Sequence, residues 1–383
     1  MFTQKKIHLF AFFLVFFVFF TCINVYAFKP KSMLCQNHDG SILASVFTKG
    51  QWGKYVFFWD SDTGKSIRVI KNPEEIDFID FQGDRNIIIT GSSNTIRFWK
   101  VSTGNLLNTI TIKGTIESMA ASNDGKWIAA HTYIPGSDYQ IYLISTENGK
   151  TINHWQVLPL VSPNLLFADE KHIVSVTETK DRKSTIVKFW NVFTGDVSQK
   201  FIVGKARRNS AAIFAMSPDR KILAVDHQPK YTKEVTLQVW NIDVKKCIYE
   251  FKGKSYTTAI AFHPHKTILA YSPWGKDNSS ARFWNFSFHK DEKPLPTKSS
   301  MNDVDRWDKY FRPAISAMIY SPDGRYLFTA YEEDLILWDV SGTKPKLKRV
   351  ICKLVDVFKN GKPYIGIHCV DGDISLEPRQ MPR

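Results

Sequence analysis

Residues able to do chemistry are plentiful in this chain, but few are spaced for it. His263 and His265 flank Pro264 in an HPH segment. A metal site needs three or four His, Cys or carboxylate ligands at short, fixed spacing, and no third ligand is local, so the segment reads as a turn. His38-Asp39-Gly40 reads as a turn in the same way. No G-x-S-x-G elbow, H-E-x-x-H, P-loop or G-x-G-x-x-G occurs, and Ser, His and Asp fall at no spacing that selects a triad. No catalytic residue, metal ligand, cofactor or small-molecule substrate is expected on these grounds. Single residues gathered from distant segments would leave no such trace, so an enzyme is the competing class.

Cysteine is the one reactive type whose spacing carries a prediction. Cys35, Cys247, Cys352 and Cys369 follow residue 27. Asn360-Gly361 is a two-residue hairpin signal, which sets Lys359 opposite Lys362 and, seven residues further along each strand, Cys352 opposite Cys369. Counting from the hydrogen-bonded pair next to the turn, the two cysteines meet at a non-hydrogen-bonded position, where side chains sit closest. A Cys352–Cys369 disulfide is expected, with two thiols as the alternative. Pro363 also takes a non-bonded position, where its missing N–H costs no rung. Cys35 and Cys247 are not expected to pair with each other.

The segments that must position such residues begin after a leader. Lys5 and Lys6 precede an unbroken apolar run from Leu9 to Phe20, and Val25-Tyr26-Ala27 supplies compact residues at −3 and −1. This is the layout of a secretory signal peptide over 1–27, cleaved after Ala27, in a protein that is secreted or periplasmic. The alternative is an uncleaved signal anchor, which alone would tie the protein to a membrane. The whole chain carries 51 Lys and Arg against 37 Asp and Glu, a net charge of +14. A basic exported protein meets anionic headgroups, glycans and acidic protein faces; nucleic acid is disfavoured as a partner. Lysines scattered over outer strands for solubility explain most of the excess.

Beyond the leader one short phrase recurs. A strand ends in a turn such as SNDG (122–125), SPDR (217–220), HPHK (263–266) or SPDG (321–324). A second strand follows, then a polar loop, then a third strand ending in an aromatic, Trp and a Gly-containing turn, as in VFFWDSDTG (56–64) and TIRFWKVSTG (95–104). With Leu143 standing in once for Trp, the anchors are Trp59, Trp99, Leu143, Trp190, Trp240, Trp284 and Trp338. The segments are β-branched and aromatic, stop at Gly, Pro, Asn and Asp, and show no sustained helical stripe.

On these residues the chain resembles the WD40 repeat family, in which each repeat supplies a four-stranded propeller blade. The resemblance implies an all-β WD40-like β-propeller and protein partners. The terminal WD pair survives at Trp59-Asp60 and Trp338-Asp339, while Trp190, Trp240 and Trp284 are followed by Asn. The family's Gly-His pair is missing, so no residue here is assigned to its buried Asp-His-Ser/Thr-Trp network. Secreted propellers of the TolB or quinoprotein type share the SPDG turns.

Residues 351–378 repeat the order strand, NG turn, strand, acidic loop, strand, so eight units are favoured over 28–378: about 32–70, 71–112, 113–157, 158–204, 205–254, 255–313, 314–350 and a partial closing unit 351–378, before a tail at 379–383. Seven blades are the alternative. The 288–313 stretch is an insertion, either a functional loop or the aromatics of an outer strand.

Function is then read from the loops that share one face of such a ring. They carry Trp52, Tyr231, Trp274 and Lys276, and beside them Lys205, Arg207, Arg208, Lys252 and Lys254. Exposed aromatics beside cations predict a basic patch over blades 4 to 6 that binds a partner with an acidic or anionic surface, in a non-enzymatic interaction scaffold. A propeller-fold hydrolase or oxidase, and a TolB-like envelope assembly protein, are the alternatives.

Overall fold

A computed structural model describes residues 32–47, 53–136, 139–158, 165–181, 183–205, 213–227, 235–253, 257–273, 281–287, 290–291, 295, 315–331, 334–359, 362–369 and 372–378. The expected leader at 1–27 lies outside them. The described residues build seven antiparallel sheets, six of four strands and one of six, each from strands consecutive in the chain. The result is a seven-bladed β-propeller with strands a to d running from the axis outward in each blade.

The strand pattern follows from what each strand faces. Blades are covered by neighbours on both sides, so a middle strand is buried on both faces and reads as a continuous apolar run. Strand b of blade 1 (Ile42–Phe47) and strand c of blade 2 (Thr95–Lys100) are of this kind, buried over almost their whole length. Strand d lies on the rim and turns polar: in blade 2 (Leu106–Thr111) Ile110 alone is buried. All seven anchors fall on strand c, from Trp59 in Tyr55–Asp60 to Trp338 in Asp334–Asp339.

The a–b turns are set by side chains. Ser122 Oγ accepts the Trp127 N–H at 2.9 Å and donates to Asp124 Oδ1 at 2.6 Å, and Ser217 and Ser321 repeat the arrangement with Asp219 and Asp323. These are Ser and Asp used as turn formers, each oxygen occupying backbone donors that the strands leave behind. In blade 6 a histidine takes the serine's place. His263 Nδ1 accepts the backbone N–H of both His265 and Lys266 at 3.0 Å, so the HPH segment is a turn, as expected, with that ring nitrogen engaged. Gly324 shows why its turn demands glycine: φ is +70°, and a Cβ there would lie 2.3 Å from His263 Cε1 in blade 6.

The favoured count of eight is corrected by the C-terminus. Strand d of blade 7 runs unbroken from Lys346 to Lys359. Its first half pairs with strand c of the same blade, Asp339 opposite Lys346 through Asp334 opposite Lys353. Its second half continues past the blade and pairs with a fifth strand (Lys362–Cys369), followed by a sixth (Gly372–Pro378). Residues 351–378 therefore extend blade 7 rather than add a blade, and the missing fourth strand of an eighth unit needs no replacement. The hairpin register is the expected one, with Cys352 opposite Cys369 and Phe358 opposite Pro363. The insertion at 288–313 contributes a two-residue strand d (Lys290–Asp291) and Leu295, buried in the core shared by blades 6 and 7.

No backbone ladder joins blade 1 to blade 7 among the described residues. Ring closure there rests on side chains: Leu43, Phe47, Phe57 and Trp59 of blade 1 pack with Phe328, Leu335, Leu337 and Ile351 of blade 7 in one buried cluster. Phe57 and Trp59 stack within it, centroids 6.1 Å apart. Burial of such rings contributes about 1.5–3 kcal/mol each, so hydrophobic area is a main support of the seam.

Candidate functional site

Two places in this ring can meet another molecule: the central channel and the face formed by the b–c and d–a loops. The polar groups inside the ring decide what remains for chemistry.

Four of the anchor indoles are hydrogen-bonded to a hydroxyl on strand b. Trp59 Nε1 donates to Ser45 Oγ at 2.9 Å, Trp99 to Thr90 Oγ1 at 3.0 Å, Trp190 to Ser175 Oγ at 2.8 Å and Trp338 to Thr329 Oγ1 at 2.8 Å. The Ser/Thr-Trp half of the network expected to be untransferable is thus present in blades 1, 2, 4 and 7. In blade 3 the Trp is Leu143 and the corresponding strand-b residue, two beyond its partner Ala129, is His131, so the indole is gone while a polar side chain stays. In blade 5, where that residue is Val225, Trp240 Nε1 turns to Gln238 Oε1 at 2.9 Å. The signal in the sequence was a Ser or Thr at the fourth residue of strand b, in ILAS, HIVS and YLFT. A buried indole N–H left unpaired is costly, which is why Trp240, with no hydroxyl on strand b, takes Gln238 as its acceptor.

Two carboxyls, one buried and one half-buried, act as struts between blades. Asp226 on strand b of blade 5 (Ile222–His227) is 2% exposed, and its Oδ2 accepts the N–H of Thr257 at the start of blade 6 at 2.6 Å. Burial pushes this carboxyl up to about 7 against the opposing pull of the Thr257 hydrogen bonds. Asp80 on strand a of blade 2 (Phe78–Phe81) accepts the Ala121 N–H of blade 3 at 3.1 Å and the Phe81 N–H at 2.9 Å. Burial raises it to about 6. His131 on strand b of blade 3 (Trp127–Tyr133) stacks on Tyr139, centroids 5.2 Å apart and planes 4° apart. Both its ring nitrogens, together with Ser118 Oγ opposite it, are buried without a partner among the described residues. Desolvation drives its pKa down to about 3. His263 falls to about 4 through burial and the Lys266 charge.

Strands a of all seven blades enclose a central cavity of about 750 Å³. Its wall is mainly aliphatic, aromatic and methionine side chains, with Asp77, Asp80 and Arg220 as the charged members. Cys35, on strand a of blade 1 (Ser32–Gln36), is a buried wall residue whose thiol is pushed well up by burial and by the Asp80 charge. Cys247 is a half-buried thiol on strand d of blade 5 (Lys246–Gly253).

Of the residues that the sequence singled out for the loop face, Lys205 and Lys252 are among the described ones. The alternation of strands puts every b–c loop and every blade-to-blade connection at one end of the ring, as expected. Lys205 closes strand d of blade 4 (Val197–Lys205), opposite Ser184, and is exposed. Lys252 lies on strand d of blade 5 opposite Thr236, near the same end. Trp52, Arg207, Arg208, Tyr231, Lys254, Trp274 and Lys276 lie outside the described residues. Among the described residues no group of three or more His, Cys, Asp and Glu could hold a metal ion, and no helix is long and apolar enough to cross a membrane.

Fold and site together define a β-propeller of seven blades, four of whose indole anchors are tied to strand-b hydroxyls. Residues 64–100 match the family WD domain, G-beta repeat, so the chain carries a WD40 repeat in a WD40-like propeller. No curated protein matches the chain. A solved hydrazine synthase chain of Kuenenia stuttgartiensis superposes with a TM-score of 0.62 at 15% identity, over 84% of this chain and 99% of that one. A chain of the mitotic checkpoint complex gives a TM-score of 0.61 at 16% identity, over 81% and 89%. At such identities the likeness is one of fold.

Proposed function

We propose that this chain is a non-enzymatic interaction scaffold that is exported and binds a protein partner with an acidic or anionic surface through its loop face. The observation that carries the reading is where the buried titratable groups are spent. Asp226 and His263 each accept backbone N–H groups that hold blades or turns together, so they are struts rather than groups waiting for a substrate. WD40 propellers generally mediate protein interactions, and one superposing chain belongs to a protein complex. The net charge of +14 supplies the long-range attraction to an anionic surface.

The test is a charge reversal on the loop face. Arg207→Glu with Arg208→Glu weakens capture of the partner from the secretome or envelope fraction, and added salt weakens it for the unaltered chain. Equal capture by both chains at all salt concentrations refutes the basic-patch reading. Export is tested by N-terminal sequencing of the secreted form, which begins at Phe28.

A Cys352–Cys369 disulfide belongs to the same proposal. The strand register supports it, and in an exporting compartment it would tie the C-terminal hairpin to the seam where Cys352 is buried. The bond closes a loop of about 15 residues, for which chain entropy allows up to about 3 kcal/mol. Non-reducing peptide mapping recovers the two linked peptides; two alkylated thiols in the secreted protein overturn the pairing.

A further inference from the structure

The central cavity departs from the rest of the molecule in charge and in composition. The chain holds 51 Lys and Arg, yet among the described residues no lysine lines the cavity, and Arg220, on an a–b turn, is the one cation there. Asp77 and Asp80, both from blade 2, face it. A ring this basic therefore encloses a channel whose fixed charges are mostly carboxyls. Methionine is concentrated in the same wall: Met33, Met119, Met216 and Met318, the four methionines among the described residues, all line it, from four different blades. Unbranched, polarizable thioethers adapt to irregular apolar shapes and are over-used on surfaces that accept varied apolar ligands. At about 750 Å³, the space falls within the usual size of small-molecule sites, which are mostly apolar with a few placed polar groups.

A soft metal ion is the other ligand that thioethers and the Cys35 thiol would bring to mind. The geometry argues against it. Met119 is folded between blades 2 and 3, where its Sδ and Cε approach the space a Cβ on Gly91 would take, at 3.4 Å. Its sulfur is taken up in packing against Gly91 of the neighbouring blade.

We propose that the central channel is a binding site for a small apolar molecule bearing a single ammonium group, with the apolar body against the methionine and aliphatic wall and the ammonium on the Asp80 carboxylate. Asp80 is suited to the role because its described partners are backbone N–H groups of Ala121 and Phe81. No described cation forms an ion pair with it. A carboxyl so placed gains a charge partner when an ammonium enters, and an anionic head meets repulsion there instead. This site is independent of the loop-face reading and requires no residue from it.

The experiment is calorimetric titration of the purified chain with decylammonium, decanol and decanoate, each below its micellar concentration. The three share one apolar tail and differ in head charge. Decylammonium is expected to bind saturably with one-to-one stoichiometry, about tenfold or more tighter than decanol, with decanoate weakest. Asp80→Asn brings decylammonium to the affinity of decanol. Ala215→Trp, which fills the channel from blade 5, abolishes binding of all three, and Ala317→Phe does so from blade 7 if the first variant does not fold. Thermal unfolding confirms that each variant is native; if Asp80→Asn is not, the order of the three heads in the unaltered chain decides. Decanoate binding as tightly as decylammonium, affinity untouched by both filling variants, or no saturable binding up to 100-fold molar excess overturns the proposal.

Discussion

Replacing Asp226 with Asn isolates the cost of burying one carboxyl in a blade interface. Below its ordinary range the side chain is neutral in the folded and unfolded chain alike, and it contributes nothing that depends on pH. As pH rises through 3.8 the unfolded carboxyl ionises, while the folded one holds its proton until about 7. A carboxyl with a raised folded pKa therefore subtracts stability as pH rises, and the loss levels off above about 7. The gap spans about three decades of proton affinity, or about 4 kcal/mol at 1.36 kcal/mol per decade. Asn keeps a carbonyl to accept the Thr257 N–H, held at 2.6 Å in the parent, and it never ionises. The stability difference between Asp226→Asn and the parent should be smallest near pH 3.5 and shift in the variant's favour by up to about 4 kcal/mol at pH 8. For a ring of this size that is a rise of about 5 °C in relative Tm, from an unfolding entropy of about 2.1 cal/mol/K per residue. Calorimetric or urea unfolding of both proteins at several pH values reads the difference directly, because every other titrating group cancels. A flat difference, or one that falls as pH rises, refutes the reasoning. The second outcome would mean that the ionised carboxylate gains more from the Thr257 hydrogen bonds than burial costs it.

The remaining predictions share that physics. His131 runs in the opposite sense: its folded pKa of about 3 lies below the ordinary 6.5, so its contribution is intact above about 6.5 and is lost as pH falls. His131→Phe, which keeps a ring on Tyr139, should spare about 3 kcal/mol of loss between pH 6.5 and 4; identical acid unfolding of the two proteins rules this out. Thr329→Val keeps the shape of its side chain but leaves the Trp338 indole N–H without its 2.8 Å acceptor, at a cost of about 1–3 kcal/mol in urea unfolding. Phe57→Ala at the seam should cost about 3–5 kcal/mol. It should raise hydrogen exchange first in blades 1 and 7, whereas uniform exchange around the ring would show that closure does not rest on that cluster.

Much of this was readable from residue order. Strand period, Trp anchors and turn residues placed every strand c, because each blade repeats the same local problem of burial on both faces. The hairpin register was readable too, since a two-residue turn leaves no freedom in which residues pair. Two signals were present and not used. Lys346–Lys359 contains no Gly, Pro or Asn to break it, which argues for one long strand rather than the end of one blade and the start of another. A hydroxyl nine to fifteen residues before an anchor Trp marks its hydrogen-bond partner.

Local chemistry thus determined what each segment becomes: a strand, a turn, an edge or an anchor. Only the closed ring decided which segments are neighbours. It set blade 7 against blade 1 through Phe57 and Phe328, placed Asp226 beneath the N–H of Thr257, and gathered four methionines and Asp80 from separate repeats into one cavity. Side-chain period is a property of a few residues, and it repeats identically in seven blades or eight. Closure depends on how all the sheets pack at once, so no single repeat carries it.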